Sequence, residues 1–345
     1  MSTAIRHDFR SDTITRPGPA MRAAMASAEV GDDVFRDDPT VTHLENVLAE
    51  RFGKEAGLFL PSGTQSNLVA LMSHCERGDE YIVGQQAHCY RWEAGGAAVL
   101  GSIQPQPLNN QADGTLLLAD IEEAIKPDDP HFARTRLLAL ENTIGGKVLP
   151  QDYVEAATAL ARRWGLSCHL DGARVFNAAV AQKVPVATLA RPFDTVSVCL
   201  SKGLGAPVGS VLVGAVPLIA RARRLRKMLG GGLRQVGVLA AAGLYALEHQ
   251  VDRLADDHAN AKLLAEGLAA FDGVKVGMPD TNIVFVEIAR DVAEGFATHL
   301  AAHGIGVTSA YGATRQRWVT HLDVDRAAVE AALGVAKAFF GGRRA

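Results

Sequence analysis

From Asp38 to about Asp171 short apolar runs alternate with amphipathic stretches. Asp38-Pro39 sets a helix N-cap before a proline at the first helical position, and Val41, Leu44, Val47 and Leu48 then recur at helical spacing. Residues 57–61 read as a short buried strand, 66–75 as a helix and 81–83 as another strand. The 87–100 stretch reads as mostly helical, 103–108 as extended and 137–141 as a strand. A helix over 153–164 and strands over 166–171 and 195–200 follow, the last running into Ser201-Lys202. This alternation predicts an α/β architecture with a mostly parallel sheet covered on both faces. Beyond Gly209 the pattern changes: a strand over 211–213, a basic helix over 218–228 broken by Gly230–Gly232, and helical stretches over 236–248 and 251–271. Apolar segments at 283–286 and 318–321 and a last helix over 326–340 make a smaller α+β unit. The expected organisation is an N-terminal arm (1–15), a large domain (16–250) and a small C-terminal domain (251–345), with the boundary near 245–255.

Composition narrows the function classes. In 345 residues, 35 Lys and Arg face 38 Asp and Glu, a net charge of −3 that supplies no polyanion-binding field, so no nucleic-acid partner is expected. No stretch approaches the roughly 20 apolar residues of a membrane span, and the first dozen residues mix Arg, His and Asp rather than building a signal peptide. A soluble, cytoplasmic chain without a membrane partner is the expectation. Cys75, Cys89, Cys168 and Cys199 lie far apart without CxxC spacing, which reads as reduced thiols. No metal site is expected; a cation at the acidic 31–38 segment stays open, but no ligand spacing there supports one. Glycine is enriched at 34 residues, which suggests backbone brought close to something.

Four features fall where strands end, the edge at which open α/β sheets bind ligands. Ser62-Gly63-Thr64-Gln65-Ser66-Asn67 is a small polar turn between strand and helix. It is either a plain N-capping turn or a phosphate cup at a positive helix terminus, and it is neither a Walker loop nor a GxGxxG fingerprint. Asp171 closes an apolar strand, with Arg174 three residues on. Lys202 follows the next strand in a glycine-flanked turn. Either charge alone reads as an ordinary surface group. Together with the turn they supply what pyridoxal phosphate needs: a Schiff-base lysine, a carboxylate for the pyridine nitrogen and a phosphate cup. A buried acid keeps its charge against a cation, and the protonated pyridine nitrogen is one. His88, after the 81–83 strand, is the fourth. Alone it would read as a satisfied core histidine, but in this company it is a ring able to lie on a cofactor face.

Arg10-Ser11-Asp12-Thr13, Gly31-Asp32-Asp33-Val34, Asp37-Asp38-Pro39, the Ser62 turn, Ala87-His88 and Leu140-Glu141-Asn142-Thr143 form one series of segments. Asp171-Gly172-Ala173-Arg174, Ser201-Lys202-Gly203-Leu204-Gly205, residues 230–235 and Val319-Thr320-His321 continue it. As a set, spread over about residues 8–335, they resemble the low-specificity L-threonine aldolases. The resemblance implies fold type I of the pyridoxal phosphate enzymes, like aspartate aminotransferase, and cleavage of L-threonine or L-allo-threonine to glycine and acetaldehyde. It also implies a tetramer. By the same resemblance Lys202 carries the cofactor, Asp171 meets its ring nitrogen, His88 stacks on its face, and Gly63 and Thr64 form the phosphate cup. Arg234 would reach a neighbouring subunit's phosphate, and Ser11, Arg174 and Arg317 would clamp the substrate carboxylate, a fork of guanidinium groups suited to that anion. Spacing to Val319-Thr320-His321 favours Arg317 over Arg315. For the base at the β-hydroxyl the candidates are His88 and His131, the latter equally readable as a loop residue. Two departures from the family pattern bear on the pocket mouth: Ile144-Gly145 stands where many relatives have His-Asn, and Phe35-Arg36 replaces a commoner Tyr-Gly.

Rival readings keep the same cofactor residues. A β-eliminating lyase or an aminotransferase would use Lys202 and Asp171 to release ammonia and a keto acid or to pass on the amino group. A serine hydroxymethyltransferase would need a folate site, which the sequence does not display. A noncatalytic pyridoxal phosphate carrier would have no use for Ser11, Arg174 and Arg317.

Overall fold

The apolar runs fold as strands buried on both faces: Thr195–Cys199 and Ser210–Gly214 are buried along their whole length in the computed structural model, which describes residues 4–308, 312 and 314–341. Seven strands form one sheet in the order Ala56–Leu60, Ser210–Gly214, Thr195–Cys199, Ser167–Gly172, Arg134–Glu141, Asp79–Gly84, Gln104–Leu108. Neighbours pair parallel except at Ser210–Gly214, which runs antiparallel to both strands beside it. This is the mostly parallel α/β architecture that the alternation predicts.

Helix ends fix how the layers dock. Asp38 Oδ1 accepts the Val41 N–H at 3.1 Å and its Oδ2 accepts the Gly237 N–H at 2.8 Å, so one buried carboxylate caps the helices Pro39–Arg51 and Gly237–His249 together. A Cβ at position 237 would collide with that carboxylate. The basic helix, Val216–Met228, turns two of its four arginines inward. Arg226 pairs with Asp33 at 2.7 Å and Arg223 with Glu45 at 2.8 Å, which neutralises part of the acidic 31–38 segment.

A second core gathers Phe9, Val284, Phe296, Trp318 and Val329 around the antiparallel strands Arg315–Val319, Ile283–Ile288 and Val274–Val276. Its N-terminal member is anchored by His7–Asp8, which pairs parallel with Ile305–Gly306 and puts the Phe9 ring 5.4 Å from Trp318. The first core reaches Leu254 and the second takes up at Ala261, so the two part within the helix Leu254–Ala269.

Three local differences from the sequence pattern have visible causes. The 87–100 stretch is two short helices, His88–Arg91 and Gly96–Val99, separated by Ala94 and Gly95 at φ of 53° and 69°. The strand expected at 318–321 is Arg315–Val319. Thr320 leaves it to donate to the Asp257 carbonyl at 2.6 Å, and His321 Nε2 donates to the Asp8 carbonyl at 2.8 Å. Arg290–Ala302 is a helix that the sequence reading leaves unassigned.

Candidate active site

Parallel strands deliver their last residues to one edge, and the candidate chemistry collects there. Asp171 ends the Ser167–Gly172 strand and is 2% exposed. Two neutral donors serve it: Asn67 Nδ2 at 2.7 Å to Oδ2 and the Ala173 N–H at 3.0 Å to Oδ1. His88 opens the helix His88–Arg91; its N–H donates to Glu141 Oε2 at 2.6 Å, and its Nδ1 pairs with Glu93 Oε1 at 2.8 Å. That hydrogen bond raises the His88 pKa against the opposing effect of burial, with help from the charge of Asp171. Ligand atoms of His88, Glu93 and Asp171 all lie within 4.8 Å of one another.

Three acids therefore converge: Asp171, Glu93 and Glu141. Burial raises Glu93 and pushes Glu141 well above the usual carboxylate range, and the charge of Asp171 adds to both. Acids packed this closely hold their protons unless a cation sits between the walls. Lys202, in the turn after the Thr195–Cys199 strand, is near enough to oppose that rise at Glu141. Its carbonyl accepts the Thr15 hydroxyl at 3.0 Å. Next to it, Ser62 caps the helix Gly63–His74 by accepting the Gln65 N–H at 3.1 Å. A Cβ at Gly63 would stand 2.6 Å from Cys199 Sγ, so glycine lets this helix terminus close onto the sheet beside the lysine turn. Thr64 is exposed in the first turn.

Around the mouth, Arg174 Nε and Nη2 hold both Asp12 oxygens at 2.7 and 2.6 Å. Burial would raise Asp12, but the Arg174 charge and hydrogen bonds override it and hold the carboxyl below its ordinary value. Two donors of Arg174, a residue the sequence reading assigns to the substrate carboxylate, are taken by Asp12. Ser11 precedes that acid and accepts from Thr13, while Arg317 Nη2 donates to the Arg10 carbonyl at 3.1 Å. Ser11, Arg174 and Arg317 thus meet around residues 10–12. Arg315 goes elsewhere, its guanidinium 4.2 Å from the centre of the Phe285 ring. Arg234 is half exposed and pairs with Asp32 at 3.0 Å.

Within one chain His131 lies apart from this cluster. It precedes the Arg134–Glu141 strand, whose far end carries Glu141, and eight residues at about 3.3 Å each put it roughly 25 Å from the cluster. Its side chain is 85% exposed beside Asp129. A histidine there reaches an active site only in another copy of the chain. Sequence reading also missed Asn67, Glu93, Asp12 and His169. Asn67 and Asp12 lie inside segments already singled out, but the partner that gives each its place is more than 100 residues away.

The family model described as beta-eliminating lyase matches residues 8–291. Over 319 residues the chain is 55% identical to the low specificity L-threonine aldolase of Escherichia coli (strain K12), covering 92% of this chain and 95% of that protein. It is 49% identical to a probable low-specificity L-threonine aldolase 2 of Arabidopsis thaliana, with 82% of each chain covered. The solved structure of Leishmania major threonine aldolase superposes with a TM-score of 0.82 at 21% identity, over 96% of this chain and 99% of that one, a likeness of fold.

Proposed function

Because the chain belongs to the beta-eliminating lyase family and, within it, to the low-specificity L-threonine aldolases, we propose that its aldolase reaction runs on pyridoxal phosphate held by Lys202, Asp171 and His88. The enzyme is a carbon–carbon lyase that cleaves L-threonine and L-allo-threonine to glycine and acetaldehyde. The observation that carries the cofactor reading is the convergence of three acids, two of them buried, served at Asp171 by neutral donors, beside a lysine and a histidine. The donor set fits. Asp171 offers a charge to a protonated ring nitrogen, Lys202 an amine to the aldehyde carbon, and the Gly63 helix terminus N–H groups to the phosphate. When bound, pyridoxal phosphate supplies a sink for the electron pair left on Cα.

The chain's own groups do the rest. Ser11 and Arg317, with what remains of the Arg174 fork, would grip the substrate carboxylate and turn Cα–Cβ, rather than Cα–H, into the cleavable orientation. Glu93 fixes the His88 ring through Nδ1, leaving Nε2 to take the proton of the β-hydroxyl as acetaldehyde departs. His88 Nε2 then holds that proton within the site for return to the glycine carbon. The protein is further proposed to be a cytoplasmic homotetramer with shared sites, Arg234 reaching a neighbouring subunit's phosphate. Exposed Phe35, at 72%, and Val99, at 74%, support burial in an assembly.

Incubation with L-threonine and with L-allo-threonine tests the reading. Acetaldehyde and glycine in equal amounts are expected from both. Ammonia and a keto acid without acetaldehyde would point to the eliminating lyase instead.

A further inference from the structure

We propose that Asn67 is a positioning residue for the cofactor site, tying Asp171 to the Glu93–His88 pair and held in place by a one-directional chain of hydrogen bonds through His169, Thr195 and His74. Asn67 is 2% exposed, and its Nδ2 donates to Asp171 Oδ2 at 2.7 Å and to Glu93 Oε1 at 2.9 Å. Ionised carboxylates only accept, so the amide nitrogen must face them and Oδ1 must face away. His169 Nε2 lies 3.2 Å from that oxygen and must be the protonated nitrogen. Burial drives His169 down to about 3, so the ring is neutral and its Nδ1 accepts the Thr195 hydroxyl at 2.9 Å. The Thr195 oxygen in turn accepts from His74 Nε2 at 2.9 Å; burial lowers His74 to about 4.

Every link has its polarity dictated by the two acids. The chain follows the contact between the sheet and the helix Gly63–His74. His169 and Asp171 are two apart on one strand face, Thr195 stands opposite His169 in register, and Asn67 and His74 are two helical turns apart. Positive dipole ends point toward the acids throughout, which keeps Asp171 and Glu93 as acceptors at short range without adding a charge. Loss of the Asn67 amide would leave two buried carboxyls facing each other unbridged, and one would take up a proton or swing away. Asp171 would then be a poorer partner for a ring nitrogen, and Glu93 a poorer anchor for His88.

This inference rests on pyridoxal phosphate being held at Lys202 and Asp171. Asn67→Ala protein is compared with wild type for the dissociation constant of pyridoxal phosphate and for the cofactor's visible absorption band at one fixed pH, with circular dichroism to establish folding. The expected result is a dissociation constant raised about tenfold or more together with an altered band. Thr195→Val, which keeps the shape and loses the hydroxyl, should shift both readouts in the same direction by a smaller factor, and Thr195→Ser should restore them. A folded Asn67→Ala protein with wild-type affinity and band overturns the inference, even where its melting temperature has fallen. Should Asn67→Ala not fold, wild-type readouts in Thr195→Val overturn it. Failure of the underlying cofactor reading looks different: wild type would take up no pyridoxal phosphate, or Lys202→Ala would keep the wild-type band, and the inference falls with it.

Discussion

The two halves of the cleft are assembled differently. The half around Asp171 comes from consecutive strand ends of one sheet and the helix packed on it. Its side chains are bonded to one another, Asp171 to Asn67, Asn67 to Glu93 and Glu93 to His88, and all but the part-exposed His88 are buried. The half around Ser11 is gathered from an N-terminal segment, a helix start in the large sheet unit and a strand of the second core. Its links run Asp12 to Arg174 and Arg10 to Arg317, separations of 162 and 307 residues. The first half is fixed by one packed contact between the sheet and a helix. The second depends on both cores keeping their mutual position, so substrate grip is the part most easily changed without loss of the cofactor site.

Substitutions on either side separate the halves. Lys202→Ala removes the amine on the first side and is expected to lower acetaldehyde release by about 10³-fold or more while the fold persists. Asp12→Ala strands the buried Arg174 guanidinium, so denaturant titration should show a loss of about 3–5 kcal/mol. Because Asp12 is depressed below its ordinary value, the stabilisation it gives is present above that value and is lost as the pH falls toward the folded one. Arg317→Ala should raise KM for L-threonine by roughly 10- to 100-fold with pyridoxal phosphate affinity unchanged. A parallel loss of cofactor would merge the halves. His88 is raised first by its bond to Glu93, with Asp171 raising it further and Lys202 opposing. The neutral base therefore appears only above its ordinary pKa of about 6.5, and Glu93→Gln should move the acid limb of the kcat/KM profile to lower pH. The smallest effect concerns Arg36, which adopts φ of 66°, in the left-handed region that favours glycine. Arg36→Gly is expected to raise stability by up to about 1 kcal/mol with activity retained.

What could be read from the sequence follows the same divide. Asp171 and Lys202 announce themselves because each ends an apolar run, and the edge of a parallel sheet is where such residues meet. The antiparallel Ser210–Gly214 strand left no such mark, since a run buried on both faces reads alike in either direction. Asp12 and Glu93 are hidden as site members because partners that place them are remote, Arg174 162 residues from Asp12 and Asn67 26 residues from Glu93. The edge that His131 joins is hidden for the opposite reason. A polar loop before a strand resembles one after it, and only the strand's direction tells which edge of the sheet it joins.

Borohydride reduction of the protein loaded with pyridoxal phosphate, followed by peptide mapping, tests the central assignment most directly. The cofactor is expected to be fixed on Lys202, in stoichiometric amount. Its recovery on another lysine, or on none, would contradict the site described.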